Sequence, residues 1–341
     1  MRPRWRSSAI LLLGLALVPA GGCIPDVVPD VVPDAGPSAP GPGCDGLAST
    51  CGPASNESCC SSPSLPPGSY TSFDPGVIDD TLHDITVSAF QLDRFEVTVG
   101  RFRRFVEAYP GSRPQPSAGA HPKLGPASGW SAGWDGFVPA TKEELIVQVS
   151  TFCDDNFGGQ GYPTWSDEPA GADEDLPMNC LGWFVAFAFC AWDGGRLPTE
   201  AEWNYAAAGG APERTYPWGE EVPDPSRAVF ECRGDGSADG ACAPSDIARA
   251  GSRSPNGDGR WGQADLAGNM FEWTLDADAP YSADPCVDCA VMNDSVLRIV
   301  RGGAWFEVNP DDEVYLQTNA RNRRATGDTL PDVGVRCARD L

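Results

Sequence analysis

Thirteen cysteines in a chain of 341 residues restrict the fold of this protein more than any other feature. The first, Cys23, follows a segment typical of a signal peptide, with arginines at its start, an apolar stretch over residues 9–18 and small residues before the cysteine. Removal of residues 1–22 leaves twelve cysteines behind Cys23, an even number. In an exported chain, an even number of cysteines favours disulfides over free thiols. We therefore expect an exported and cross-linked protein.

The small residues at positions 20–22 resemble the site that signal peptidase II reads, so we expect Cys23 to be lipidated; plain secretion is the alternative. A diacylglycerol on the thiol and a third acyl chain on the new amino group would anchor the protein stably. Two or more acyl chains give stable membrane anchoring, whereas a single acyl chain binds only marginally. Ile24 stands where an aspartate would signal retention in the inner membrane. The expected location is the bacterial cell envelope, in the outer membrane.

The charge of the chain excludes several classes of partner. The sequence has 48 acidic and 24 basic residues and a formal net charge of -24. Such a surface repels nucleic acid and anionic lipid headgroups, and no basic stripe offsets it. We expect no nucleic acid partner, and membrane contact only through the lipid on Cys23. The charge suits cations, calcium above all, although solubility alone accounts for most of the acids.

The sequence divides into three regions. Residues 1–22 form the signal peptide, and residues 23–68 form a tether rich in Pro, Ser and Cys. The prolines of residues 25–34 favour an extended backbone. Four cysteines of the tether suggest a small disulfide knot whose pairing stays open, namely Cys44, Cys51, Cys59 and Cys60. The globular domain is predicted to span residues 69–341.

Helical and strand periodicities predict few regular elements, and 39 glycines and 33 prolines indicate many turns. Thr199 and Glu202 form a capping box, which predicts the start of a helix. The other predicted helices are 101–109 and 181–192, and the predicted strands are 85–92, 297–301 and 333–337. This pattern favours an α+β domain with much coil.

Two motifs identify a family. RLPTEAEW at 196–203 is followed about seventy residues later by GNMFEW at 268–273. Supporting segments in the same order are EVT at 96–98, YPWG at 216–219, RGGAW at 301–305 and GVRC at 334–337. Over about residues 75–341 the chain resembles the formylglycine-generating enzyme, or sulfatase-modifying factor, family. The resemblance implies a C-type-lectin-like fold, with two main helices on small antiparallel sheets and much coil.

The resemblance argues against the family's oxidase reaction. Formylglycine-generating oxidases bind copper with two cysteines, the first of which falls at Glu307 here and the second within residues 311–314, where there is none. Copper(I) prefers soft thiolate ligands, and a carboxylate replaces them poorly. We therefore expect no catalytic residue and no copper. Iron chemistry is also disfavoured, because His83 and His121 are the only histidines and both precede the helical core.

The resemblance does imply a calcium site in the GNMFEW turn. The implied ligands are the side chains of Asp265 and Glu272 and the backbone carbonyls of Gly268 and Met270. Hard oxygen ligands from a short irregular loop are what Ca²⁺ takes. A hydrogen-bonded turn that keeps its shape without metal is the alternative.

The resemblance also implies a disulfide between Cys190 and Cys337, which would join the second helix to the end of the chain. Closing so long a loop stabilises a fold by about 4–5 kcal/mol in the chain-entropy model. A disulfide between Cys286 and Cys289 is favoured over half of a zinc site, because no second such pair exists. A further local disulfide is expected between Cys232 and Cys242. A disulfide between Cys153 and Cys180 is then the pairing that remains by elimination.

Two functions from different classes follow. The first is a calcium-stabilised binding module for a protein, peptide or glycan, in which Trp305, Glu307 and Arg321 form a ligand pocket. Arg321 alternatively pairs with an acid such as Asp332 in a structural network. The second function is a divergent formylglycine-generating oxidase, which converts a cysteine of sulfatases to formylglycine, or a related oxygenase.

Overall fold

The computed structural model describes residues 40–72, 82–151, 153, 161–167, 173–237, 242–281, 285–306 and 312–341, without the side chains of 312 and 313. The predicted signal peptide, Cys23, the first part of the tether and Glu307 lie outside these residues. No helix in the described ranges is long and apolar enough to cross a membrane.

The α+β fold class is confirmed: the described residues form four α-helices and ten short strands. The helices are α1 Val99–Ala108, α2 Lys142–Thr151, α3 Trp183–Trp192 and α4 Glu200–Ala208. The strands are β1 Ser64–Leu65, β2 Gly68–Ser72, β3 His83–Val87, β4 Phe90–Leu92, β5 Phe271–Ala277, β6 Cys286–Val287, β7 Leu297–Arg301, β8 Asn322–Ala325, β9 Val333–Gly334 and β10 Ala338–Asp340. Short 3-10 helices occupy Pro42–Cys44, Pro126–Ser128, Ala132–Phe137, Pro244–Asp246 and Asp312–Leu316.

The strands form three small sheets with the orders β8-β7-β5-β9, β1-β4-β10 and β2-β3-β6. Most pairs are antiparallel, as expected, but β3–β6 and β5–β9 are parallel. A parallel pair needs a long connection, and both of these join strands that are far apart in the sequence. The predicted strand 85–92 is divided into β3 and β4, because Ser88 turns out of the ladder and donates from its backbone N and Oγ to Asp288 (2.6 and 2.7 Å).

Three of the four helices were predicted, with small shifts at their ends. α1 begins after the N-cap Thr98, whose side chain accepts from Arg101 N. α4 has the predicted capping box between Thr199 and Glu202, and all nine of its residues are buried. α2 is a further helix that the sequence analysis did not predict. The sequence of α2 lacks a strong apolar stripe, which is why periodicity did not predict this helix, and only its Leu145 and Val149 are buried.

The core is built around α3, which is apolar on all sides and buries seven of its ten residues. Its first residue, Trp183, donates from Nε1 to Thr274 O at 2.8 Å. Trp273 of β5 donates in turn to Leu181 O at 2.7 Å. A buried indole N–H needs an acceptor, so these bonds fix how α3 lies against β5.

Residues before the predicted domain start at 69 already pack on the domain. β1 pairs with β4, and Gly43 N donates to the buried Asp193 Oδ1 at 2.8 Å. Cys51 and Cys59 are buried and bonded to each other. The predicted boundary therefore falls inside a packed region. The segment has few apolar residues, which is why the sequence placed it in the tether; disulfides and polar contacts hold it instead.

The prediction of disulfides is confirmed by six pairs in the structure. They are Cys44–Cys60, Cys51–Cys59, Cys153–Cys180, Cys190–Cys337, Cys232–Cys242 and Cys286–Cys289. Cys190–Cys337 joins α3 to the segment before β10, across 147 residues of sequence. All cysteines after Cys23 are thus bonded.

A buried ion network joins α1, the end of α3 and the last strand. Arg101 contacts Asp93 at 2.8 Å and Asp193 at 2.6 Å, and Arg339 bonds to the same two carboxylates. All four side chains are almost completely buried. Burial alone would raise the pKa of Asp93, but the charges of Arg101 and Arg339 outweigh it and lower this pKa to about 2. The carboxylate therefore stays ionised, and stabilises the fold, down to strongly acidic pH.

We predict that Asp93→Asn lowers the free energy of unfolding at pH 7 by about 3–5 kcal/mol, because it leaves two buried guanidinium groups short of a carboxylate. In the wild type, the stabilisation is complete above the ordinary pKa of 3.8 and is lost as the pH falls through about 2. Urea unfolding from pH 7 to pH 2 measures both effects. Asp294→Asn, at an exposed position, is the control. Equal stability of the two variants would contradict this role of Asp93.

Candidate functional site

Three of the predicted calcium ligands lie in a tight turn between Ala264 and β5, and the fourth, Glu272, is the second residue of β5. Asp265 and Asn269 have left-handed backbones, with φ of 55° and 62°, which Asp and Asn adopt more readily than other non-glycine residues. Gly268 has φ of 82°, and a Cβ there would meet Val229 O at 2.4 Å. Only glycine fits this position, because the backbone of residue 229 lies directly against it.

Both predicted carboxylate ligands are buried and hydrogen-bonded. Asp265 accepts from Gly251 N at 2.5 Å. Glu272 accepts from Trp203 Nε1 at 2.7 Å and from two nitrogens of Arg336, each at 2.6 Å. An ionised carboxylate has about four lone-pair positions, so Glu272 retains one beyond these three bonds.

Glu96 is a third buried acid at this turn, and the sequence analysis did not assign it to the site. Its two oxygens accept from Asn269 Nδ2 at 2.8 Å and from Met270 N at 3.1 Å. Burial raises the pKa of Glu96 well above its usual range, and the charges of Asp265 and Glu272 raise it further. Glu96 is the first residue of the EVT motif, and that motif was the one feature of the sequence that could have assigned it to the site. A motif does not show which residues it contacts in the folded protein.

The charges around the turn do not balance. Glu96, Asp265 and Glu272 share one guanidinium, that of Arg336, and burial raises the pKa of Asp265 to about 6. When all three acids are ionised, this cluster has an excess of two negative charges. A divalent cation would neutralise that excess, and the carbonyls of Gly268 and Met270 would add the hard oxygens that calcium needs. The residue types at this turn are therefore ones that calcium takes, and the site stays a prediction.

The residues of the predicted ligand pocket have separate roles in the described contacts. Trp305 is buried, donates from Nε1 to Pro331 O at 3.2 Å and packs edge-to-face on Tyr162. Arg321 bonds to Glu200 Oε2 at 2.7 Å and to Ala279 O at 3.0 Å. Because Glu307 lies outside the described residues, a pocket shared by all three side chains stays a prediction.

The contacts of Arg321 favour the structural network, with a different acid from the one expected. Arg301 binds the second oxygen of Glu200 at 2.5 Å, so one buried carboxylate holds two arginines. Asp332 pairs instead with Arg324, at 3.1 Å. The sequence could not identify Glu200 as the partner of Arg321, because the RLPTEAEW motif around Glu200 indicates the start of a helix and gives no information about ion pairs.

A buried acid extends this network. Asp276 accepts from Glu200 N and from Val291 N, each at 2.7 Å. Burial, with the charge of Glu200, raises the pKa of Asp276 to about 7. The network thus joins β5, the start of α4 and the segment after β6.

The two histidines are not brought together as metal ligands. His121 is buried and lies 3.3 Å from Glu202, whereas the ring of His83 packs on Tyr281. Over the described ranges, no group of three or more His, Cys, Asp or Glu side chains is arranged to hold a metal ion. The calcium site considered above differs from such a group because half of its ligands are backbone carbonyls.

Comparison with known proteins decides the family. Residues 48–341 match the sulfatase-modifying factor enzyme 1-like domain. The chain belongs to the sulfatase-modifying factor family. The match begins before the predicted domain start at 69, in agreement with the packing of the N-terminal cysteines.

Of two curated relatives, one is named as an enzyme and the other as inactive. The formylglycine-generating enzyme of Streptomyces coelicolor is 29% identical over 280 residues, which are 76% of this chain and 81% of that protein. A mouse protein named inactive C-alpha-formylglycine-generating enzyme 2 is also 29% identical, over 265 residues, 75% of this chain and 76% of its own. Identity to these relatives therefore does not separate an active member of the family from an inactive one.

Solved structures agree with the fold. PvdO from Pseudomonas aeruginosa superposes with a TM-score of 0.54 at 22% identity, and the match covers 82% of this chain and 93% of that chain. Treponema denticola variable protein 1 gives a TM-score of 0.52 at 17% identity, covering 82% and 95%. At such identities the likeness concerns the fold alone.

We predict that Arg321→Ala lowers the free energy of unfolding by about 3 kcal/mol, because a buried carboxylate loses one of its two partners. Arg323→Ala, on the same segment, is the matched control: its side chain is 56% exposed and pairs with Asp278 at 3.3 Å. That change should cost less than about 1 kcal/mol. Chemical denaturation of both variants measures the difference. If the two variants are equally stable, Arg321 has no structural role, and its assignment to a ligand pocket is favoured instead.

Proposed function

We propose that this protein is a member of the sulfatase-modifying factor family without oxidase activity, which acts as a binding module for a protein, peptide or glycan. The observation that carries the proposal is the state of the cysteines. Every cysteine within the described residues is bonded to another, and the family's first copper-binding position is Glu307. The scaffold is kept while the thiols of the oxidase site are replaced.

The donor set explains why copper does not fit. Copper(I) takes soft thiolate ligands, and a disulfide sulfur carries no negative charge to offer. The rings of Tyr162 and Phe306 pack against Trp305, and Cys232, whose backbone N donates to Trp305 O, is bonded to Cys242. We therefore assign no oxidation step to this chain. The mouse relative named as inactive supports the idea that the fold is used in this family without that reaction.

We predict that the purified protein, supplied with copper and oxygen, converts no Cys-x-Pro-x-Arg peptide to its formylglycine form, because it lacks the thiolate pair. Mass spectrometry of the peptide detects the conversion, and an active formylglycine-generating enzyme under the same conditions is the positive control. Aldehyde formation, or tight binding of one Cu(I) per chain, would instead support the alternative, a divergent oxidase.

We also propose that calcium stabilises the domain through the turn before β5. Asp265 and Glu272 would supply side-chain oxygens, and Gly268 and Met270 would supply carbonyls. The proposal is supported by three buried acids around Arg336, whose ionised forms exceed its single positive charge, and by the remaining lone pair of Glu272. The ion would join the loop to β5 without taking part in any reaction.

We predict that calcium at a hundredfold excess over its Kd raises the free energy of unfolding by about 2.7 kcal/mol. Thermal unfolding in calcium and in a chelator measures this. Asp265→Ala should abolish the difference, whereas Asp265→Asn should keep part of it because the amide still offers an oxygen. Identical melting of the wild type with calcium and with chelator would rule out the site.

We further propose that the domain is displayed on the cell envelope by a lipid on Cys23. The six disulfides support an oxidising compartment, since such bonds persist mainly in exported proteins. The anchor itself depends on the sequence around Cys23, which lies outside the described residues. A module displayed in this way would meet its ligand outside the cell.

A further inference from the structure

A small polar cavity lies between β2, α4 and the segment before β8. It has a volume of about 200 Å³ and is lined by residues that include Tyr70, Asn204, Glu213, Gln317, Thr318 and Asn319. We call it the α4 cavity. Ligand sites for drug-sized molecules measure about 300–1,000 Å³. The α4 cavity is smaller and accepts one compact unit.

Asn204 lies in the buried wall of this cavity. The residue is only 2% exposed, and its Nδ2 donates to Ser72 Oγ at 3.2 Å. Its Oδ1 has no hydrogen-bond partner within the described ranges. A buried polar atom without a partner is costly, so a bound molecule that reached this amide with a donor would recover that cost.

The rim of the cavity offers further groups of the same kind. The side-chain amides of Gln317 and Asn319 make no hydrogen bond to other described residues and line the same space. Glu213 accepts at Oε1 from Thr71 N (2.8 Å) and Thr71 Oγ1 (2.7 Å), which holds its carboxylate at the cavity. Carboxamides donate and accept at once, and the carboxylate accepts.

The cavity is built in advance and does not depend on a ligand for its shape. Arg301 donates to Ala320 O at 2.7 Å and to Thr318 O at 3.3 Å, from the ion pair it makes with Glu200. Thr318 Oγ1 donates to Arg214 O at 2.6 Å. A site whose walls are fixed loses little conformational entropy when it binds.

We infer that the α4 cavity binds one neutral monosaccharide unit, such as the terminal residue of a glycan. A sugar hydroxyl both donates and accepts, which matches a lining of amides, hydroxyls and one carboxylate. The lining charges of Glu213 and Arg214 offset each other, so a neutral ligand is favoured over an ion. Leu82, 59% exposed, supplies an apolar edge for the C–H face of the ring. This inference rests on the proposed binding function.

The test uses the full chain and the methyl glycosides of glucose, galactose, mannose and N-acetylglucosamine. We expect saturation-transfer NMR to detect at least one of them and calorimetry to give its affinity. Gln317→Ala, at the rim, should weaken binding about three- to tenfold, as the loss of one neutral hydrogen bond does. Asn204→Leu should abolish binding. The exposed Gln115→Ala should leave it unchanged.

Thermal unfolding of each variant separates loss of binding from loss of fold, and Gln317→Ala keeps the test valid if Asn204→Leu does not fold. Binding of none of the four glycosides would overturn the inference. So would a capped tetrapeptide that binds with the same dependence on Gln317, since the cavity would then recognise peptide amides. Neither result touches the proposed lack of oxidase activity, which is decided by the formylglycine assay.

Discussion

The rest of the structure depends on the hydrogen bonds of the Arg336 guanidinium. It is fully buried, and all five of its N–H donors are used: three of the bonds go to backbone carbonyls of Asp93, Arg94 and Ala264, and two go to Glu272. One side chain near the C-terminus thus joins β5, the loop after β4 and the start of the turn before β5. Removing one partner of such a buried pair typically costs 3–5 kcal/mol. A domain with so much coil has few other ways to fix these segments.

Similar buried pairs recur through the fold, and disulfides reinforce them. Arg101 and Arg339 join α1 to the last strand through Asp93 and Asp193, and Cys190–Cys337 crosses the same region. Many buried backbone groups in coil have no ladder to pair with, and arginine supplies several donors at once. This is how a chain with a net charge of -24 uses its few basic residues.

The two candidate sites are both placed by these arginines. Arg336 is the one guanidinium beside three buried acids at the turn before β5, and Arg301 fixes the wall of the α4 cavity while it pairs with Glu200. Neither arrangement needs a thiol, and every cysteine among the described residues is part of a disulfide.

The sequence by itself determined the family, the α+β class and the elements whose signals are local. The capping box at Thr199 and the apolar run of α3 need only neighbouring residues, so both were found. Only the tertiary structure decided that residues 42–65 pack on the domain, that Arg321 pairs with Glu200 and that Glu96 lies at the turn before β5. These contacts join residues far apart in the chain, and a single sequence records which charges exist but not which of them meet once the backbone is folded.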